Sequence, residues 1–346
     1  MPSVTIDAGV LAAPPLSVDT EAVHCYVETL LDWRKLLDEP WVAIYMSERA
    51  SETLVADGLY PLRDSLRRLF AAKGVIEYDV NTVARVADTL LRLTPHFETV
   101  FRVKDVLCDH VHTEPDLLSI YTSENLISDL ARCLVLIALL RNHCRRPIVD
   151  HALVVRPWNG KTIVQVKALV HDIDHSRDDL EAIPRPPEYL EGSVWVCQSF
   201  RELVSSIDET TVWRSALDDE GMMVAVHIAL YKSRLDRRLD PDWGSGPNFR
   251  FGRKFAETTR ECCRDNPASL VTSILRAMVE TIDRLQLKDF HALRIADSGG
   301  APQRTRGDDK AWRRDIDDEY HLHYWECEDN IEFGSVGPHN DFSIPA

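Results

Sequence analysis

The chain has 346 residues, 45% of them hydrophobic and 28% charged. That composition excludes general disorder, and the length points to two or three folded units, because one core rarely grows past ~250–300 residues. A balance of 40 basic against 56 acidic residues gives a net charge of −16, which opposes non-specific binding to phosphate backbones.

The first elements alternate strand and helix. Residues 3–10 alternate as a strand, and Val23, Val27, Leu30 and Leu31 recur at helical spacing within residues 20–37. Residues 41–46 (WVAIYM) read as a buried strand, with Ser47 and Glu48 suited to open the following helix. Amphipathic helices are expected over 62–73 and 81–93, the second stopped by Pro95. Residues 123–142 form the strongest helical segment, with an apolar run at 134–140 that is far too short to span a bilayer. Residues 151–156 and 162–169 flank Asn159-Gly160, which predicts a hairpin. The proline cluster at 184–187 and the Gly/Pro/Asp-rich stretch at 240–248 are the expected boundaries. A strand at 193–200 and a helix at 222–235 lie between them. Helices are expected over 249–264 and 267–287, then four strands at 290–296, 311–316, 320–327 and 331–336.

Residues 1–15 lack a charged start followed by an apolar centre, so no secretory leader is expected. The eight cysteines show no CxxC spacing, which suits reduced thiols in a cytoplasmic protein without a membrane segment.

Within residues 249–345, Leu293-Arg294, the basic connection Arg304-Thr305-Arg306-Gly307, the alternating YHLHYW at 320–325 and the closing VGPHNDF at 336–342 resemble the RelE/ParE toxin superfamily. The resemblance implies a small domain of two helices followed by an antiparallel sheet. In the RelE branch such a domain cleaves mRNA on the ribosome, without a metal. In the ParE branch it targets gyrase. Carried onto this chain, RNA cleavage has His339, His321 and His323 as acid and base, with Arg313 on the scissile phosphate. Arg304, Arg306, Lys310 and Arg314 would bind substrate. His339 stands where the family has a functional basic residue. Residues 245–346 nevertheless carry 14 basic and 18 acidic groups, and Asp315, Asp317, Asp318 and Glu319 crowd the strand that would face phosphate.

The opening VTIDAGVLA looks like the start of a PIN-type nuclease domain. That likeness implies a Mg²⁺ site built from carboxylates, for which Asp7, Glu48, Asp129 and Asp150 are the candidates. A second pattern, Asp150 before one hairpin strand with Gln165-Val166-Lys167 on the other, is similar to PD-(D/E)xK nucleases. Walker, Rossmann and GxSxG motifs are absent from the sequence.

The expected architecture is an α/β N-terminal region (1–183), a connecting α/β segment (184–244) and an α+β, RelE-like C-terminal domain (245–346). Two functions follow as expectations. One is a nucleic-acid-directed endonuclease acting as a bacterial toxin or phage-defence effector on RNA or the ribosome. The other is a non-catalytic interaction subunit of an operon-encoded defence or regulatory complex, with protein partners.

Overall fold

The computed structural model describes residues 2–345 apart from positions 40, 146, 147, 149, 181–186, 240, 242, 244–247, 265, 266 and 297–299. The chain is mixed α/β with two six-stranded sheets, and it divides into two units, Met1–Leu203 and Val204–Ala346. Most of the two stretches expected as linkers, 184–187 and 240–248, lies outside the described residues. Among the described residues no helix is long and apolar enough to cross a membrane.

In unit 1 the order is β1 (Ser3–Ile6), α1 (Ala8–Leu11), α2 (Thr20–Leu36), β2 (Ala43–Met46), α3 (Ala50–Ala56), α4 (Arg63–Lys73), α5 (Val80–Leu93), α6 (Phe97–Phe101), β3 (Val103–Glu114), α7 (Glu124–Asn142), β4 (His151–Val154), β5 (Ile163–His175) and β6 (Glu188–Cys197). The sheet runs β2-β1-β4-β6-β5-β3. The first four strands are parallel, and β5 and β3 are antiparallel additions at one edge. Helix α2 starts at an Asp19 side chain that accepts from the Ala22 N–H, and α5 starts likewise at Asp79. Helix α7 packs on β5 and β6 and is buried nearly all round from Leu130 to Leu140, as its continuous apolar centre requires.

The expected 151–169 hairpin does not form. Strand β6 lies between β4 and β5, pairing parallel with β4 and antiparallel with β5. Every residue of β4 is buried, which suits a strand flanked on both sides by parallel neighbours. Strand β6 therefore belongs to unit 1 and does not open a connecting segment.

Helix α8 (Phe200–Ser206) carries the boundary. Unit 2 continues with α9 (Glu209–Ser215), α10 (Asp219–Asp236), β7 (Asn248–Phe251), α11 (Phe255–Cys262), α12 (Pro267–Ile282), β8 (Phe290–Ala292), β9 (Thr305–Arg306), β10 (Asp309–Asp315), β11 (Tyr320–Glu326) and β12 (Asn330–Pro338). Helices α9 and α10 pack on α12, so these residues join the C-terminal unit. The helix expected to begin at residue 249 begins at Phe255 instead. Phe249 and Phe251 form a strand parallel to β12, and their rings pack with Phe255 and Phe333. The sheet order is β7-β12-β11-β10-β8, with β9 folded back on β10 through Gly307 at φ +61°. The expected stripe on α12, including Ile274, Met278 and Ile282, packs against Leu322, Tyr324, Phe333 and Val336.

Candidate functional site

Strand alternation gives the sheet of unit 2 two chemically different faces. On β11, Leu322 and Tyr324 enter the core shared with α12, while Trp325 joins Leu293 and Ala311 in a small cluster packed by Phe342 and Ile344. His321 and His323 share the parity of Trp325. The residues after β12 fold back over this second face. The Trp325 indole N–H donates to the Pro345 carbonyl at 3.1 Å, and the His339 ring lies 3.8 Å from that of His321, centroid to centroid. A bulge falls between His323 and Tyr324, opposite Gly334. A side chain at position 334 would run into the Ile344 side chain, which would have to shift.

His321 and His323 are therefore buried, at 1% and 0% exposure. The His321 Nε2 is 2.8 Å from Asp315 Oδ1, which fixes its proton on that nitrogen and leaves Nδ1 as a buried lone pair with no hydrogen-bond partner. Burial pushes the His321 imidazole down to about 4, with His339 and Arg313 adding to the effect and Asp315 opposing it. His323 is likewise held at about 4 by burial, against the pull of Asp341; its Nδ1 faces the Ser335 hydroxyl at 3.3 Å. His339 is half-buried and its Nε2 donates to the Asp317 carbonyl at 3.2 Å. Asp315 also lies 3.7 Å from His291 Nε2. Asp315, His321 and His339 each offer a donor atom within 4.8 Å of the others, the one such group of three among the described residues.

Of the expected cations, Arg313 joins the histidines on this face. It is the register partner of His323, and its guanidinium stands 5.6 Å from the Phe342 ring. Arg314 points the other way and is fully buried. It is tied to Glu280 at 2.5 Å and the Leu285 carbonyl at 3.0 Å, above the Phe290 ring. Lys310 has the parity of Arg314 and is exposed. Arg306 lies over Trp325 and is held by Glu332 at 2.8 Å and Asp309 at 3.0 Å. Arg304 is half-buried beside β8, its backbone N–H bonded to the Leu293 carbonyl. The eight expected cations and imidazoles thus do not form one open cradle. A tighter group of Arg313, His321, His323, His339 and Asp315 forms in its place. Asp315 and His291 were not among the sequence candidates, although Asp315 has the same strand parity as Arg313.

The four N-terminal carboxylates do not come together. Asp7 follows β1, whereas Asp150 precedes β4; the two strands are parallel and in register from Ser3↔His151 to Ile6↔Val154, so these acids sit at opposite ends of the sheet. Glu48 is exposed, and its backbone N–H is bonded by Glu98. Asp7 and Asp129 are buried near each other in a network that the sequence did not reveal. Asp7 accepts from Tyr121 and from the Gly9 N–H, while Asp129 accepts from Ser47 at 2.7 Å. Arg132 bonds Glu98 and Ser47 and lies 3.5 Å from Asp129. Burial, with Asp129 adding to it, pushes the Asp7 carboxyl up to about 7. The PD-(D/E)xK arrangement fails with the hairpin, since β6 separates Asp150 from Gln165, and Lys167 pairs with Glu191 at 3.3 Å.

The chain matches no protein-family model, no curated protein and no solved structure.

Proposed function

We propose that the protein is a nucleic-acid-directed endonuclease, of the bacterial toxin or phage-defence kind, whose C-terminal unit cleaves RNA at the His321–His339 pair. The observation that carries this reading is the close ring pair itself, with Asp315 holding one ring at 2.8 Å and Arg313 on the same face. The order of two helices and an antiparallel meander also supports it, as the order that the RelE/ParE resemblance implies.

In this reading the His321 Nδ1 lone pair takes the proton of a 2′-hydroxyl, whose oxygen attacks the adjacent phosphorus. His339 gives a proton to the departing 5′-oxygen, so the products are a 2′,3′-cyclic phosphate and a 5′-hydroxyl. Arg313 stabilises the charge that builds on the phosphoryl oxygens. His339 and the tail after it cover His321, so substrate entry requires this segment to lift.

One observation favours the alternative, a non-catalytic subunit with a protein partner: two of the histidines are covered, and Arg306 and Arg314 are engaged within the fold. Expression of the wild type and of His339→Ala/Arg313→Ala in a bacterial cell separates the two. The nuclease reading expects growth arrest with degraded RNA from the wild type alone. Equal growth with both chains supports the subunit.

A further inference from the structure

We infer that Asp315, His321 and His339 form a binding site for a zinc-class divalent transition-metal ion. Two imidazoles and one carboxylate are a donor set that such ions accept, with a fourth position left for water. Donors on a tetrahedral ion at about 2.0–2.1 Å lie about 3.3 Å apart. The three groups already offer atoms within 4.8 Å of one another, and Asp315 and His321 are in hydrogen-bond contact at 2.8 Å. Closing the remaining ångström or so needs only side-chain rotation of the half-buried His339 and the exposed Asp315.

Two further features point the same way. The His339 Nε2 donates to the Asp317 carbonyl, the outer contact that orients a ligating histidine and leaves Nδ1 for the ion. The cluster is bordered by Asp317, Asp318 and Glu319 in sequence, with Arg313 as the fixed cation on its face. This acidity, which disfavours a bare phosphate, favours a divalent cation. Binding exchanges the proton between Asp315 and His321 for the ion.

The binding itself does not depend on the cleavage reading; its consequence for cleavage does. An ion on the His339 Nδ1 takes the place of the proton that the departing oxygen needs, so the metal-loaded protein is a switched-off nuclease.

The test uses the full chain, stripped with a chelator and titrated with Co²⁺ alone, followed by visible absorption and by competition with Zn²⁺. One ion per chain is expected, with a band that Zn²⁺ removes. His339→Ala and Asp315→Asn, both at accessible positions, should each weaken binding by at least the roughly 10–100-fold that an outer-shell partner is worth, with unchanged far-ultraviolet circular dichroism. No saturable binding by the wild type, or equal affinity in both variants, overturns the site. Metal binding by a wild type that never cleaves RNA keeps the site and removes the cleavage reading. Cleavage without metal binding does the reverse.

Discussion

The rings of His321 and His339 lie 3.8 Å apart with their planes inclined by 33°. His339 thereby closes the solvent side of a buried imidazole, and the tail behind it continues the cover through Phe342 and Ile344. Removing that cover tests whether the histidine face is accessible in principle. In Phe342→Ala/Ile344→Ala, unfolding free energy should fall by roughly 2–4 kcal/mol. Acylation of His321 and His323 by an imidazole-directed reagent should rise, read by peptide mass mapping. Unchanged labelling would show that the tail is not what shields them.

Neighbouring arginines should behave oppositely. Arg314 is 0% exposed and bonded to Glu280 and Leu285, so Arg314→Ala leaves a hole in the core and partly buried partners unmatched, and should cost on the order of 3 kcal/mol in a denaturant titration. Arg313→Ala should move stability by less than about 1 kcal/mol while reducing RNA cleavage. Equal stability losses would contradict the assignment of the two side chains to opposite faces.

In unit 1, the Asp7 carboxyl at about 7 binds a proton more tightly folded than unfolded. The folded state therefore holds more protons between about pH 4 and pH 7, and stability falls as pH rises through that window. Asp7→Asn keeps the shape without the titration. At pH 8 it should exceed the wild type by up to about 4 kcal/mol, and at pH 5 the two should nearly coincide. Urea melts at both pH values check this; a gap that is the same at both would refute it.

His151 titrates the other way. It is fully buried between the Ser3 and Thr5 hydroxyls at 2.8 and 2.9 Å, and burial pushes it down to about 3. The unfolded chain binds the extra proton, so its contribution is present above about pH 6.5 and is lost as pH falls toward 3. The stability advantage of wild type over His151→Asn should shrink steadily from pH 7 to pH 4 in thermal melts. A constant advantage would place the stabilisation elsewhere.

Local pattern made much of this fold readable. The 3.6-residue recurrence in α2, α5 and α12 and the two-residue alternation of YHLHYW each report a buried face, and both the helices and the shared face of His321 and His323 follow from them. Strand order is a different matter. The Asn159-Gly160 signal speaks only for a local turn, and nothing near it announces that β6 will insert between β4 and β5. Gathering Arg313 and Arg314 at one phosphate overlooked the same alternation, because adjacent residues of a strand cannot share a face. Long-range partners were not legible: Glu98 with Arg132, and the tail laid over the histidines beside Gly334, depend on contacts that no spacing in the sequence encodes.

The most direct test is cleavage of a single-stranded RNA by the purified full chain in the presence of chelator, with the products analysed for their termini. The account predicts 2′,3′-cyclic phosphate and 5′-hydroxyl ends from the wild type, and a loss of roughly 10²–10⁴-fold in rate for His339→Ala. Cleavage that His339→Ala leaves at the wild-type rate, or no cleavage of RNA by the wild type under these conditions, would contradict it.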